Sequence, residues 1–214
     1  MTFFDFLDTR SDEMIELGIG HVMVVAVSVL IATVVGVALG ILAFRVRRLR
    51  TVILSITGAF LTIPSFALFV LMLPLVGLGT PPVLIALTMY GLLPIVRNTI
   101  TGLTGVDPAI VESAQGMGLN ARQRLLKIQL SMAWPVIMTG IRVTTIMLVG
   151  IAAIGAIVLG PGYGNFIYEG LGRVGTPVAM NLVMAGIIGV VVIAILFDAL
   201  FSLIGRLTTS KGLR

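Results

Sequence analysis

Apolar residues dominate this chain in five long runs, at 20–44, 52–76, 82–101, 132–159 and 178–204. A helix needs roughly 20 mostly apolar residues to cross the hydrocarbon core of a bilayer, and each run reaches that length. The pattern predicts an all-α integral membrane protein with five transmembrane helices, read as a single domain over 1–214. No internal repeat of useful length is visible, which counts against the inverted-repeat folds of many secondary transporters.

The runs are not uniform. Gly36 and Gly40 stand four apart in the first, the small-residue spacing that lets helices approach closely in lipid. Thr62-Ile63-Pro64-Ser65-Phe66 and then Pro74 interrupt the second, where the lost amide donors break the hydrogen-bond ladder. Carbonyls freed at membrane depth need partners. Either neighbouring helices and Ser65 supply them, or Pro64, Ser65 and Phe66 line a wet path. Gly77, Gly79, Pro81 and Pro82 mark the turn into the third run, and Pro94 bends that run just before Arg97 and Asn98.

Composition sharpens the class. Hydrophobic residues make up 58% of the 214 and charged residues 11%, with a mean hydropathy of +1.16, too apolar for one water-soluble core. The formal charge of +5 raises the question of nucleic acid. The basic residues, however, sort by membrane side instead of gathering with aromatics on one face. Arg45, Arg47, Arg48 and Arg50 crowd the first connection, Arg97, Arg122, Arg124 and Lys127 the third, and Arg206, Lys211 and Arg214 the end of the chain. By the positive-inside bias these are cytoplasmic. Asp5, Asp8, Asp12, Glu13 and Glu16 at the start, and Glu169 in the fourth connection, face outward. The N-terminus is then outside and the C-terminus inside.

Residues 1–18 lack a basic start and a cleavable small-residue site, so they are not read as a signal peptide. Their alternation of Phe3, Phe4, Phe6, Leu7, Met14, Ile15 and Leu17 with acids suits either the outer interface or a frayed end. His21, at the outer membrane edge, is read as an interface residue. Absence of cysteine excludes disulfides and thiolate metal sites.

The third connection, about 102–131, is the one long polar interruption. Asp107 followed by Pro108 is a strong helix start, since the carboxylate accepts from free amides and proline at the first position forfeits none. A first short helix is expected over 109–116. Gly118 then gives the freedom for a sharp turn, and Asn120 with Gln123 makes a capping-box signature for a second helix leading into the fourth run. Two short helices meeting at a glycine form a rigid knob that can sit in a groove of another subunit and pass on its movement.

Within this connection the sequence runs Glu112-Ser113-Ala114, three residues, Gly118, nine residues, Ile128, one residue, Leu130. It resembles the cytoplasmic loop of ABC importer permeases, whose pattern is Glu-Ala-Ala, three residues, Gly, nine residues, Ile, one residue, Leu-Pro. The resemblance implies docking on a cytoplasmic ATPase through Glu112, Ala114 and Gly118, with Asp107, Pro108, Arg122, Ile128 and Leu130 completing the coupling element. Ser113 departs from the pattern, and so does Ser131, which stands where proline would be; Pro135 is expected to shift the break before the fourth span.

Further segments narrow the family: Ile63-Pro64-Ser65-Phe66-Ala67-Leu68, Gly77-Leu78-Gly79, Leu92-Leu93-Pro94-Ile95-Val96-Arg97-Asn98-Thr99, Gly105-Val106-Asp107-Pro108-Ala109 and Gly116-Met117-Gly118. They look like permeases for quaternary-amine osmoprotectants, with glycine betaine, carnitine and choline as substrates. The membrane fold implied is similar to that of methionine-importer permeases, so amino-acid import stays open as an alternative. The resemblance implies a second permease subunit, identical or not, two ATPases holding ATP and Mg, an extracellular or periplasmic binding protein, and a bacterial or archaeal cytoplasmic membrane.

The residues themselves agree that the motor lies elsewhere. No Gly, four residues, Gly-Lys-Ser/Thr loop occurs, nor a nucleophile elbow or His-Glu-x-x-His site, so this chain is read as carrying no catalytic residue, cofactor or metal. An ion-coupled secondary transporter is the competing class. Trp134, Tyr90, Tyr163 and Tyr168 are too scattered for an aromatic cage, so tight recognition is assigned to the separate binding protein. The segment 160–175, with Tyr163, Phe166, Tyr168 and Glu169, is the expected contact for it. Asp198 is the one acid inside a run, and an intramembrane charge requires a partner or water. Arg142 lies at similar depth, so an Arg142–Asp198 pair is expected at the inner gate.

Overall fold

The computed structural model describes residues 2–208, and every regular element among them is helical. Lys211 and Arg214 of the predicted cytoplasmic tail lie outside the described residues. A short helix α1 (Phe3–Thr9) is followed by α2 (Ser11–Arg45), α3 (Arg47–Thr62), α4 (Ser65–Val76) and α5 (Thr80–Thr104). Next come α6 (Pro108–Gly116), α7 (Ala121–Gln123), a π-type turn (Arg124–Gln129) and α8 (Leu130–Ile154). A 3-10 turn (Gly155–Val158), α9 (Gly164–Gly172) and α10 (Ala179–Thr208) complete the order.

Contacts at glycines fix the directions. A Cβ on Gly36 would stand 2.9 Å from Ile95, one on Gly40 2.5 Å from Thr99, and one on Gly91 2.8 Å from Ala32. Positions 32, 36 and 40 of α2 therefore meet 91, 95 and 99 of α5 in the same order, and the two helices run parallel. The Gly36/Gly40 spacing is a packing seam, close enough that added carbon would force the helices apart. Helix α8 runs against α5, since Gly155 lies against Val83, Gly91 against Thr144 and Gly102 against Ala133. Helix α10 runs against α8, with the Trp134 indole donating to Thr208 Oγ1 at 2.8 Å.

Parallel α2 and α5 require the chain to return between them, and α3 and α4 together make that return. Among the described residues four helices are long and apolar enough to cross a membrane, or five if α3 and α4, bent by 101°, count as one broken span. The second predicted run is broken at Ile63-Pro64, as its proline implies. Helix α5 sits at the centre, packed by α2, α3, α4 and α8, and buries Val83, Ala86, Leu87, Ile95, Val96 and Ile100.

Two boundaries differ from expectation. Helix α2 has 35 residues, roughly 50 Å at the rise of an α-helix. It exceeds the roughly 30 Å hydrocarbon core, so the acid-bearing turns of 11–19 are a helical extension of the first span. The second loop helix does not end before the fourth span: a continuous helical rod covers Ala121–Val158. Ser131 keeps the amide that proline would lack, Pro135 is accommodated inside α8, and the irregularity falls earlier, in the π-type turn.

The N-terminal segment is packed and capped. Thr2 and Asp5 form a reciprocal capping box, whose hydrogen bonds from Thr2 hold the Asp5 carboxyl below its ordinary pKa. Phe6 is 1% exposed and meets Phe166 edge to face at 6.1 Å. Arg10 bonds Glu13 at 2.8 Å and reaches Glu169 at 3.5 Å, while Glu169 also holds Arg173 at 2.7 Å. Acids therefore gather at the α1/α9 end of the bundle. Arg45 to Arg50, Arg122, Arg124, Lys127 and Arg206 mark the opposite end.

Candidate functional site

The bend in the second passage falls at Ile63-Pro64. Proline at 64 cannot donate, and the Ile63 carbonyl is taken by the Tyr90 hydroxyl at 2.8 Å. Tyr90, isolated in sequence, is 2% exposed and belongs to the core. A neighbouring helix thus supplies the partner at that carbonyl. Pro64 and Phe66 stay exposed and Ser65 half-buried.

At the basic end the knob is built from local signals. Asp107 Oδ1 accepts from the Ala109 amide at 2.8 Å, with Pro108 first in α6. Helix α6 closes with the Leu119 amide on the Ala114 carbonyl at 3.1 Å. Gly118 has φ +84, left-handed backbone that disfavours any side chain. Asn120 and Gln123 then exchange two bonds of 2.9 Å, and Arg124 donates to the Leu119 carbonyl at 2.9 Å. Asp107, Pro108, Glu112, Gly118 and Arg122 are exposed, whereas Ile128 and Leu130 are half-buried at the base. Ala114, 1% exposed, packs beneath the knob and cannot line its outer face. Met117, an apolar residue between two glycines in a polar loop, is 71% exposed beside Gly118.

Farther into the bundle, Arg142 Nε and a terminal nitrogen reach the two Asp198 oxygens at 2.6 and 2.7 Å. This is a two-pronged contact tying α8 to α10. The side chains remain 41% and 39% exposed on the chain.

The acidic end differs most from expectation. His21 is fully buried, with Nε2 3.0 Å from the Val149 carbonyl and Nδ1 accepting from the Tyr163 amide at 3.3 Å. It is a core residue joining α2, α8 and the 160–163 turn, not an interface residue. The amide on Nδ1 fixes the proton on Nε2, which donates to Val149. Phe166 is fully buried against Phe6 and presents no surface to a partner, whereas Tyr163 packs over Gly189 and stays half-buried. Tyr168 is 37% exposed, and Glu169 is engaged by Arg10 and Arg173. Which ring of a Gly-rich segment turns inward depends on α1 and α10, and no local pattern announces it.

Comparison with known proteins places this architecture. The family model described as binding-protein-dependent transport system inner membrane component matches residues 13–210. The chain is 32% identical over 209 residues to the choline transport system permease protein OpuBB of Bacillus subtilis, covering 98% of this chain and 94% of that protein. It is 38% identical over 199 residues to the osmoprotectant import permease protein OsmW of Salmonella typhimurium, covering 91% of each. Similarity to the carnitine transport permease protein OpuCD of Listeria monocytogenes is 35% over 202 residues, 94% of this chain and 89% of that one. Among solved structures, an inward-facing MetNI methionine ABC transporter superposes with a TM-score of 0.81 at 24% identity, over 92% of this chain and 96% of the other.

Proposed function

The chain belongs to the family of binding-protein-dependent transport system inner membrane components, and we propose that it forms half of the translocation path of an ABC importer for osmoprotective quaternary amines, glycine betaine, carnitine or choline. One observation carries the substrate class: similarity to permeases named for choline, carnitine and osmoprotectants spans nearly the whole chain. The methionine transporter shares the fold at 24% identity and supports no solute of its own here. Membership of a binding-protein-dependent family sets aside the ion-coupled transporter.

In this reading the protein is a multi-pass inner-membrane subunit without catalytic residues. It pairs with a second permease, identical or related, and with two ATPases that hold ATP and Mg. The basic end of the bundle is cytoplasmic and the acidic end outward, as the charge asymmetry supports. The knob of Asp107, Pro108, Glu112, Gly118 and Arg122, with Ala114, Ile128 and Leu130 as its footing, docks in the ATPase. Nucleotide-driven closure moves α8 directly, because the rod Ala121–Val158 runs from the knob through the membrane without a break. Pro64, Ser65 and Phe66 line the path at the bend, Arg142–Asp198 gates its inner half, and Tyr168 and Glu169 meet the solute-loaded binding protein.

The test is ATP-driven uptake into vesicles holding this permease with its ATPase and binding protein. Labelled glycine betaine, carnitine or choline should accumulate only with all components and ATP. Accumulation of methionine alone would overturn the substrate class, and uphill uptake by the permease alone on an ion gradient would overturn the mechanism.

A further inference from the structure

We propose that Arg142 and Asp198 form a contact for the solute itself, matched to a zwitterion bearing a quaternary ammonium and a carboxylate. The inference deepens the substrate reading above and rests on it. A guanidinium has about five N–H donors and a carboxylate about four acceptor sites, so the two bonds of 2.6 and 2.7 Å leave most of both groups unused. The side chains are 41% and 39% exposed, and no other polar partner is found for either among the described residues.

Depth decides what that exposed side can face. Asp198 lies ten residues before Thr208 and Arg142 twelve beyond Leu130, roughly 15 and 18 Å from the basic ends of their helices. That is well inside a roughly 30 Å core, where charge is turned toward protein or water and not lipid. The α2 side of the α8–α10 seam has the opposite character. It is an apolar groove of about 350 Å³ lined by Val29, Met138, Ile141, Phe197 and Phe201, and neither charged residue lines it. One side of the seam suits acyl chains, and the other carries a neutral pair of adjacent opposite charges that must face protein or water.

A molecule complementary to such a pair has adjacent opposite charges of its own. When the gate parts, Asp198 faces the ammonium and Arg142 takes the solute carboxylate, for which its planar fork supplies parallel donors. A quaternary ammonium has no N–H, so its attraction to Asp198 is purely coulombic and undirected, which keeps the contact weak enough to release. Both charges exchange partners without either being stranded. Choline, a cation without a carboxylate, engages Asp198 alone.

The experiment measures ATP-driven uptake of glycine betaine and choline by the complete reconstituted importer. In Arg142→Gln the ratio of glycine betaine to choline uptake falls about ten-fold or more, the loss of one charged hydrogen-bonded contact. In Asp198→Asn both rates fall. The double variant Arg142→Gln/Asp198→Asn keeps a neutral hydrogen-bonded pair and so guards against misfolding; its uptake of whichever of the two solutes the unmodified importer carries falls by about ten-fold as well. A ratio unmoved by Arg142→Gln, an unchanged rate in the double variant, or an unmodified importer that carries choline but not glycine betaine would overturn the proposal. Uptake of neither amine by the unmodified importer would instead remove the substrate class, and this inference with it.

Discussion

The Tyr90 hydroxyl and the Ile63 carbonyl, 2.8 Å apart, hold the point where the second passage turns by 101°. The residue before a proline is held extended, which turns the Ile63 carbonyl out of the helical ladder, and a residue 27 positions later satisfies it. Tyr90→Phe removes the donor while conserving the ring, leaving a carbonyl unpaired beside Pro64, at a cost of about 1–3 kcal/mol. Thermal unfolding of the purified complex should show a lower midpoint for this variant. An unchanged midpoint would mean that the bend is held by packing alone.

At the knob, backbone and surface effects can be separated. Gly118→Ala meets open space, so its cost is the left-handed backbone at φ +84, about 1–2 kcal/mol. Met117→Glu alters a side chain that is 71% exposed and should change permease stability by no more than about 0.5 kcal/mol. Both variants should retain less ATPase on co-purification and lower uptake, whereas only Gly118→Ala should loosen α6 by hydrogen exchange. Full ATPase retention in both would remove the knob from the coupling scheme.

How much of this was readable in advance follows from the range of the interactions. The Asp107 cap, Pro108, the glycine turn at 118 and the Asn120–Gln123 box are contacts within a few residues, and short sequence windows contain them. The Arg142–Asp198 contact is distant in sequence, yet counting helical rise put both charges at one depth, and a membrane makes depth informative. Phe166 and His21 lie in the core against expectation because burial depends on which element covers a face. Nothing near Phe166 signals Phe6, and nothing near His21 signals Val149 or Tyr163. The Ser131 region differs for another reason: without a proline the helix continues, and the irregularity is a π-type turn, which has no residue signature.

Tying α8 to α10 is separable from any role in selectivity. Reversing Arg142 to Asp, or Asp198 to Arg, places two like charges within a few ångströms inside the bundle, and either single change should lower the yield of folded protein and its unfolding temperature. Making both changes restores opposite charges on the same two helices and should recover most of that loss. Non-additivity of this kind is the signature of direct contact. Additive losses would mean that each charge has a different partner in the assembled importer.

His21 and Gly162 allow the outward end to be tested in the same way. A Cβ on Gly162 would fall 2.6 Å from His21 Nδ1, and the residue sits at φ +125, so Gly162→Ala suffers both a collision and backbone strain. His21→Ala removes the ring, leaves the Tyr163 amide without its acceptor, and should cost about 1–3 kcal/mol from that orphaned donor before any cavity is counted. Once the ring is gone the two closest contacts vanish, and what remains is the strain and the residue-21 Cβ at 3.0 Å. Gly162→Ala should therefore destabilise the His21→Ala protein by less than it destabilises the unmodified one, and unfolding midpoints of the four proteins measure the difference directly. Equal effects in both backgrounds would show that the turn yields freely, and that His21 holds α2 to α8 through Val149 without fixing the 160–163 segment.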